Sequence, residues 1–149
     1  GLAYHHVGGG SEEDLATIEA HAASKGVNLV IEPRLSQGDL VNLVKRSRAV
    51  VSLARGEPFG LTPIEAQAAG TPALMVDEGG YRHTIEDGVS GRLLPRGDWA
   101  TWHDALDEAK DSATRTAWSN AGQQNIAKIG LRPEEQAATL ASIIDKLRE

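Results

Sequence analysis

An α/β fold, a parallel sheet with helices on both faces, is the architecture this sequence predicts. Three observations carry the prediction. Short apolar runs alternate with helical periodicities from the first residues onward. Ala49 to Leu53 is a short, almost continuous apolar run, the pattern of a central parallel strand covered on both sides. Glycine clusters follow the runs at Gly8-Gly9-Gly10 and Gly79-Gly80, where a strand must turn toward the next element.

The elements follow in order. Ala3 to Val7 reads as a strand running into Gly8-Gly9-Gly10, after which Ser11 with Asp14 caps a helix whose buried stripe is Leu15, Ile18 and Ala22. Asn28 to Glu32 is the second strand, and Ser36 with Asp39 opens a helix that buries Leu40, Leu43 and Val44. The carboxyl end of Ala49 to Leu53 delivers Arg55, Gly56 and Glu57 to the edge where open α/β sheets bind ligands. In Thr62-Pro63-Ile64-Glu65 the threonine suits a helix cap, the proline a first turn and the glutamate the far side of a capping box. A helix from Pro63 to about Ala69 is therefore predicted, stopped by Gly70 ahead of the strand Ala73 to Val76. Gly79-Gly80 turns the chain, Gly88, Gly91 and Gly97 punctuate a short strand near Arg92 to Leu94, and Trp102, Ala105, Leu106 and Ala109 mark a further helix. The Rossmann-like core ends near residue 110, and a tail of two helices, roughly 112–129 and 133–148, follows. The last starts at Pro133 and has Leu140, Ile143, Ile144 and Leu147 on one face. Residues 1–149 thus read as a single domain with a core of about 1–110 and a helical tail of about 111–149.

Composition narrows the chemistry. With 149 residues, 40% apolar and 24% charged, the chain is one ordinary soluble domain able to bury a core. It has no cysteine, which removes disulfides and thiolate metal sites and fits a reducing cytosol. The five histidines show no ligand spacing, and His5 and His6, adjacent on a strand, point to opposite faces, so no metal is expected. No membrane span or leader pattern is visible. A formal charge of −6 with no basic patch argues against nucleic acid, so any anion must be bound locally, by amides at helix starts.

Glu57-Pro58-Phe59-Gly60-Leu61-Thr62-Pro63-Ile64-Glu65 is the most informative stretch: two carboxylates with seven residues between them bracket a glycine turn and a helix start. Unpaired N–H groups and the positive dipole end of such a helix suit phosphate. Residues 54 to 94, ARGEPFGLTPIEAQAAGTPALMVDEGGYRHTIEDGVSGRLL, closely resemble the donor-sugar half of the retaining family 4 glycosyltransferases, enzymes of the GT-B fold. Two glutamates at this spacing, the glycine turn between them, a small-residue helix, the Gly70-Thr71-Pro72 strand entry and the Gly79-Gly80 turn occur in the family's order. A weaker likeness runs through His6 to Gly10 and residues 28 to 53, and fades after about 110.

The resemblance implies the C-terminal, donor-binding domain of a cytoplasmic hexosyltransferase. Such an enzyme passes a sugar from a UDP- or GDP-sugar to a glycan, lipid or other acceptor, with the nucleotide sugar as co-substrate and no metal. It implies as partner an N-terminal acceptor domain of the same enzyme, which would carry any contact with the cytoplasmic face of a membrane, and it implies that this stretch alone is inactive. A carboxylate beside a diphosphate repels it, so both glutamates belong at hydroxyl groups. By resemblance Glu57 is catalytic and contacts hydroxyls of the transferred sugar, while Glu65 accepts from the ribose. The backbone of Pro58, Phe59, Gly60, Leu61 and Thr62 holds the diphosphate, Pro33, Arg34 and Leu35 meet the base, and Gly8 and Gly9 approach the donor. Arg55 and Arg82 are candidates to offset phosphate charge.

Plainer readings stand beside these. Glu65 serves as a capping-box residue only, Glu57 as a solvated loop side chain, Phe59 as a core anchor, Gly60 and Gly8-Gly9 as ordinary turn glycines, Pro33 to Leu35 as a connecting loop, and both arginines as solvated charges. A glycosidase reading of the paired carboxylates fits poorly, since a first-turn glutamate is stabilised as the anion whereas a general acid must hold its proton. A non-catalytic nucleotide-sugar binding module is the alternative from another class, and a sugar-nucleotide epimerase ranks behind both. The sequence departs from the family in two places. It opens without the strand and helix that bring an arginine and a lysine to the diphosphate, and His83 stands where relatives commonly have glutamate.

Overall fold

The structure, a computed structural model, describes residues 2–130 and 133–146 and comprises two compact units, Gly1–Val41 and Asn42–Glu149.

In the first unit, β1 (Tyr4–His6) and β2 (Leu29–Ile31) pair in parallel, with Tyr4 opposite Leu29 and His6 opposite Ile31, and α1 (Glu12–Ser24) connects them. The capping box predicted at Ser11 is present. The Asp14 amide donates to Ser11 Oγ at 3.1 Å, while the Ser11 amide donates back to Asp14 Oδ2 at 3.3 Å. Hydrogen bonds from the Ser11 hydroxyl and amide hold the Asp14 carboxyl below the usual aspartate range. Of the expected stripe only Ala22 is fully buried, Leu15 and Ile18 being half-buried. At the carboxyl ends of the strands His5 Nδ1 lies 2.6 Å from Glu32 Oε1.

Helix α2 (Gln37–Arg46) starts as its sequence requires, with the Asp39 amide donating to Ser36 Oγ at 3.2 Å. It buries Leu43, with Leu40 and Val44 half-buried.

The second unit is built on β3 (Val50–Ser52), β4 (Ala73–Val76) and β5 (Gly91–Leu94), in that spatial order and all parallel, with Val50 opposite Ala73 and Ala73 opposite Gly91. Every residue of β4 is 0% exposed, the consequence of a central strand flanked on both sides and covered on both faces. Its cover comes from α3 (Leu61–Ala68), a short α4 (Tyr81–Thr84) that the sequence reading did not contain, α5 (Trp99–Glu108) and α6 (Ser112–Ile129). Leu74, Met75, Tyr81, Leu94, Trp102 and Trp118 form the heart of the core. Burying a side chain such as Leu74 contributes roughly 1.5–3 kcal/mol. The two indoles bring polar groups inside and satisfy them, Trp102 Nε1 donating to Pro95 O at 3.0 Å and Trp118 Nε1 to Gly88 O at 3.1 Å.

Helices α5 and α6 are capped by Asp98 and Asp111, whose carboxylates accept from the Thr101 and Thr114 amides at 3.2 and 2.7 Å. In α7 (Pro133–Lys146) the apolar face seen in the sequence is open to solvent, with Leu140 59%, Ile143 50% and Ile144 41% exposed; Leu147 lies outside the described residues. Among the described residues no helix is long and apolar enough to cross a membrane.

Candidate functional site

The chain leaves the carboxyl end of β3 at Ser52, passes Arg55, Gly56 and Glu57, and enters α3 through Gly60. Here one expectation is corrected. The helix begins at Leu61, with Gly60 as its N-cap in the left-handed region (φ 91°, ψ 55°) and no side-chain cap, so Thr62 is not the cap and Glu65 closes no capping box. The physical reason is the glycine. Its freedom to take positive φ turns the chain into the helix two residues before threonine could cap it. Pro63 still lies in the first turn, where its missing N–H costs nothing, while Glu65 sits one turn further in, so the dipole argument made for it against glycosidase chemistry does not hold at its actual position. The predicted stop is met, Gly70 taking φ 78° just past the helix.

Two contacts order the turn before α3. The Gly60 amide donates to Glu57 Oε1 at 2.9 Å, and the Gly80 amide donates to Glu57 O at 2.8 Å. The second contact requires very close approach of two backbones. A Cβ on Gly80 would lie 2.3 Å from Phe59 C, and one on Gly79 would lie 2.5 Å from Glu57 O, distances that no side chain tolerates. Gly79-Gly80 is therefore a backbone shelf under the Glu57 to Gly60 turn. Behind Gly60 itself stand Thr84 and Tyr81, so a Cβ there would reach Thr84 Oγ1 at 2.7 Å. Tyr81 is held in turn, its hydroxyl 2.9 Å from Ser52 Oγ.

Helix α3 is anchored from its inner face. Gln67, 1% exposed, donates from Nε2 to Thr84 O at 2.9 Å, and Asn125 of α6 donates from Nδ2 to the same carbonyl at 2.9 Å. Its outer end carries the amides of Leu61 and Thr62, which have no intrahelical acceptor. Among the described residues no loop carbonyl or side chain accepts from either of them.

Charge around the turn is arranged in pairs. Arg82 donates from Nε to Asp77 Oδ1 at 2.6 Å and from Nη2 to Asp77 O at 2.8 Å, so it serves the β4 exit and not the α3 end, where the sequence had offered it to phosphate. Arg96 forms a two-pronged pair with Glu78 at 2.7 and 2.9 Å. Hydrogen bonding from Arg96, more than the pull of Arg96, Arg55 and Arg82 as charges, holds the Glu78 carboxyl below the usual glutamate range. Arg55 is exposed and makes no hydrogen bond or ion pair among the described residues.

Of the residues singled out from the sequence, Glu57, Gly60, Leu61, Thr62 and Glu65 come together in the second unit with Gly79-Gly80. Glu57 and Thr62 are half-buried, Pro58 and Glu65 are exposed, and Phe59 at 40% exposure is no core anchor. Gly8, Gly9, Pro33, Arg34 and Leu35 belong to the first unit, at the carboxyl ends of β1 and β2. Gly8 and Gly9 take φ 128° and 74° with open space around them, so they are glycine for conformation, and His6 Nε2 ties the turn to Gly9 O at 3.1 Å. Pro33 and Arg34 are exposed and Leu35 is half-buried. Sequence reasoning missed Arg96 and Glu78; both lie just past strand ends at the ligand-binding edge, and that placement was the available signal. Among the described residues no group of three acidic, histidine or cysteine side chains is placed to hold a metal ion.

Comparison with known proteins adds three findings. The family profile described as "Glycosyl transferases group 1" matches residues 3–125. A D-inositol 3-phosphate glycosyltransferase of Thermobispora bispora is 33% identical over 149 aligned residues, covering 96% of this chain and 34% of the relative, so the chain spans about a third of the length of that relative. Among solved structures, sucrose-phosphate synthase from Thermosynechococcus elongatus superposes with a TM-score of 0.81 at 22% identity, covering 96% of this chain and 38% of the other. The Anabaena protein HepE in complex with UDP-glucose superposes with a TM-score of 0.72 at 20% identity, covering 89% and 38%. These likenesses show the fold, that of the C-terminal half of GT-B enzymes.

Proposed function

Since the chain belongs to the group 1 glycosyl transferases, we propose that it is the donor-binding domain of a retaining, family 4-like enzyme that transfers a sugar from a UDP- or GDP-sugar to an acceptor hydroxyl. The observation that carries the reading is the tip of α3: two amides with no acceptor among the described residues, preceded by a turn that Glu57 closes on itself through the Gly60 N–H. Such a tip is a ready-made receptor for a diphosphate. Support comes from HepE, which shares the fold and was solved with UDP-glucose. The name of the Thermobispora relative makes an inositol phosphate the first acceptor to test.

In this mechanism the bond from the sugar's anomeric carbon to the diphosphate oxygen breaks while the acceptor oxygen bonds to the same face of that carbon, and the acceptor's proton passes to the departing diphosphate. No protein nucleophile is needed. The chain's contribution is placement and electrostatics. The amides of Leu61 and Thr62 meet the charge that grows on the leaving diphosphate, a task worth several kcal/mol when the donors are preset. Glu57, with Oε1 on the Gly60 amide, has its other oxygen left for a sugar hydroxyl, and Glu65 on the exposed side of α3 accepts from the ribose. No metal step is invoked. Residues 1–149 are proposed to act as one domain, with the acceptor, and any membrane contact, handled by a separate N-terminal domain on the cytoplasmic side.

The test is transfer by the full-length protein, first titrated calorimetrically with a panel of UDP- and GDP-sugars to identify the donor. Glu57→Ala and Glu65→Gln should each lower transfer by about tenfold or more, the order expected for a lost charge-assisted hydrogen bond. Near-native rates in both variants would remove the assignment, and tight donor binding with no turnover on any acceptor would favour the non-catalytic binding module.

A further inference from the structure

Arg96 lies just past β5, and its guanidinium reaches across to residues just beyond the carboxyl ends of the other two strands of its sheet, β3 and β4. Nε donates to Glu78 Oε1 at 2.7 Å and Nη2 to Glu78 Oε2 at 2.9 Å, just beyond β4. Nη1 donates to Leu53 O at 3.0 Å and Nη2 to Ala54 O at 3.4 Å, just beyond β3. Leu53 and Ala54 are the first two residues of the loop that carries Glu57. We propose that Arg96 and Glu78 form a clamp on the exit of β3 that positions Glu57 and the Gly60 amide for the donor sugar, without touching the donor themselves.

The loop has two anchors and one soft point. Arg96 holds it at Leu53 and Ala54, and the Gly80 amide holds it at Glu57 O. Between them Gly56 takes φ 68°, and a Cβ added there would meet nothing within 4 Å, so no packing closes in on that side of the residue. Removing the first anchor leaves Arg55 and Gly56 free to swing, and Glu57 is then held only by the Gly80 and Gly60 amides, which broadens the range of its side chain. Arginine is required because three acceptor groups are served at once by one planar fork; the single ammonium of lysine lacks that geometry. Glu78 keeps the fork oriented by engaging both of its oxygens, and the hydrogen bond that does so also keeps its carboxyl ionised. With Glu78 39% exposed and Arg96 24%, the pair is a surface ion pair, and such pairs add little to global stability. Its effect is therefore expected in loop order and donor recognition, not in unfolding.

This inference rests on the reading of residues 57–65 as the donor site, and its test separates the two. In the full-length protein, Arg96→Ala, Arg96→Lys and Glu78→Gln are compared with Arg92→Ala. That control removes another doubly paired arginine, one bound to Asp87 and Glu108 away from the loop. Amide hydrogen exchange is followed over residues 53–60, and calorimetry is run with UDP-glucose against UDP and, in parallel, GDP-glucose against GDP. Arg96→Ala and Arg96→Lys should speed exchange over 53–60 by about tenfold. They should weaken the bound nucleotide sugar by about tenfold and the bare nucleotide by less than about threefold, Glu78→Gln following in the same direction and Arg92→Ala doing neither. Unchanged exchange over 53–60 in Arg96→Ala, or equal weakening of sugar nucleotide and nucleotide, overturns the clamp. A wild-type protein that binds none of the four ligands overturns the donor reading instead, and the exchange rates then decide the clamp alone.

Discussion

Replacing Gly80 by alanine adds one methyl group where two backbones cross. Gly80 has φ −65° and ψ −17°, so alanine fits its backbone conformation and any effect comes from contact alone. The new Cβ would stand 2.3 Å from Phe59 C and 2.4 Å from both its Cα and N, against a comfortable separation of about 3.5 Å between carbon atoms. Relief requires the two segments to part by about 1 Å, and because the Gly80 amide is bonded to Glu57 O, they part only by losing that bond. Overpacking of this kind costs about 1–3 kcal/mol, and a shift of about 1 Å in a positioning segment lowers activity by about a hundredfold. The assay is urea unfolding together with UDP-glucose titration of the full-length protein. Gly88→Ala is the control: at φ 73° the added Cβ meets nothing within 4 Å, which predicts about 1–2 kcal/mol from the backbone and no change in donor affinity. Wild-type affinity and wild-type stability in Gly80→Ala would refute the shelf.

Three other outcomes are expected. Leu74→Ala, at a 0% exposed position in the central strand, should lower the unfolding free energy by about 2–5 kcal/mol in urea, and a loss under about 1 kcal/mol would contradict the packing described. Glu57→Gln keeps an oxygen for the Gly60 amide whereas Glu57→Ala removes it, so calorimetry should find donor affinity falling in the order wild type, Gln, Ala; equal losses would mean that Glu57 does not order the turn. Glu78 ionises at lower pH in the fold than in the unfolded chain, chiefly through its hydrogen bond from Arg96. Its contribution is thus complete above the usual glutamate range, about 4 to 4.5, and disappears as pH falls through and below it. Exchange over residues 53–60, relative to Glu78→Gln at the same pH, should therefore quicken in the wild type as pH falls through that range, and a ratio unchanged with pH would argue against the pair.

Much of the fold was legible because local rules and the final structure agree. Ala73 to Val76 is a strand to the residue, since an uninterrupted apolar run between glycine turns leaves little choice, and the helix expected at roughly 112–129 is present. Ser11 with Asp14 and Ser36 with Asp39 cap their helices as written. The start of α3 was misjudged because two local signals compete. Thr62-Pro63 offers a good cap, but Gly60 turns the chain earlier at positive φ, where a side chain would also run into Tyr81 and Thr84, residues far along the chain. Helix α4 escaped for a related reason, its four residues being held by tertiary contacts and not by periodicity. At the site the paired glutamates and the glycines were visible as motif. The contacts that order them were not, because Glu57 to Gly80 and Arg96 to Leu53 span long stretches of sequence. The apolar face of α7 was seen correctly, but no period in the sequence reports that it is left open.

A crystal of the full-length protein grown with the nucleotide sugar it binds most tightly would decide the matter. The diphosphate oxygens should lie about 3 Å from the Leu61 and Thr62 amides, with the Glu57 carboxylate on a sugar hydroxyl and Glu65 on the ribose. A diphosphate bound away from the start of α3, or both carboxylates turned out into water, would contradict it.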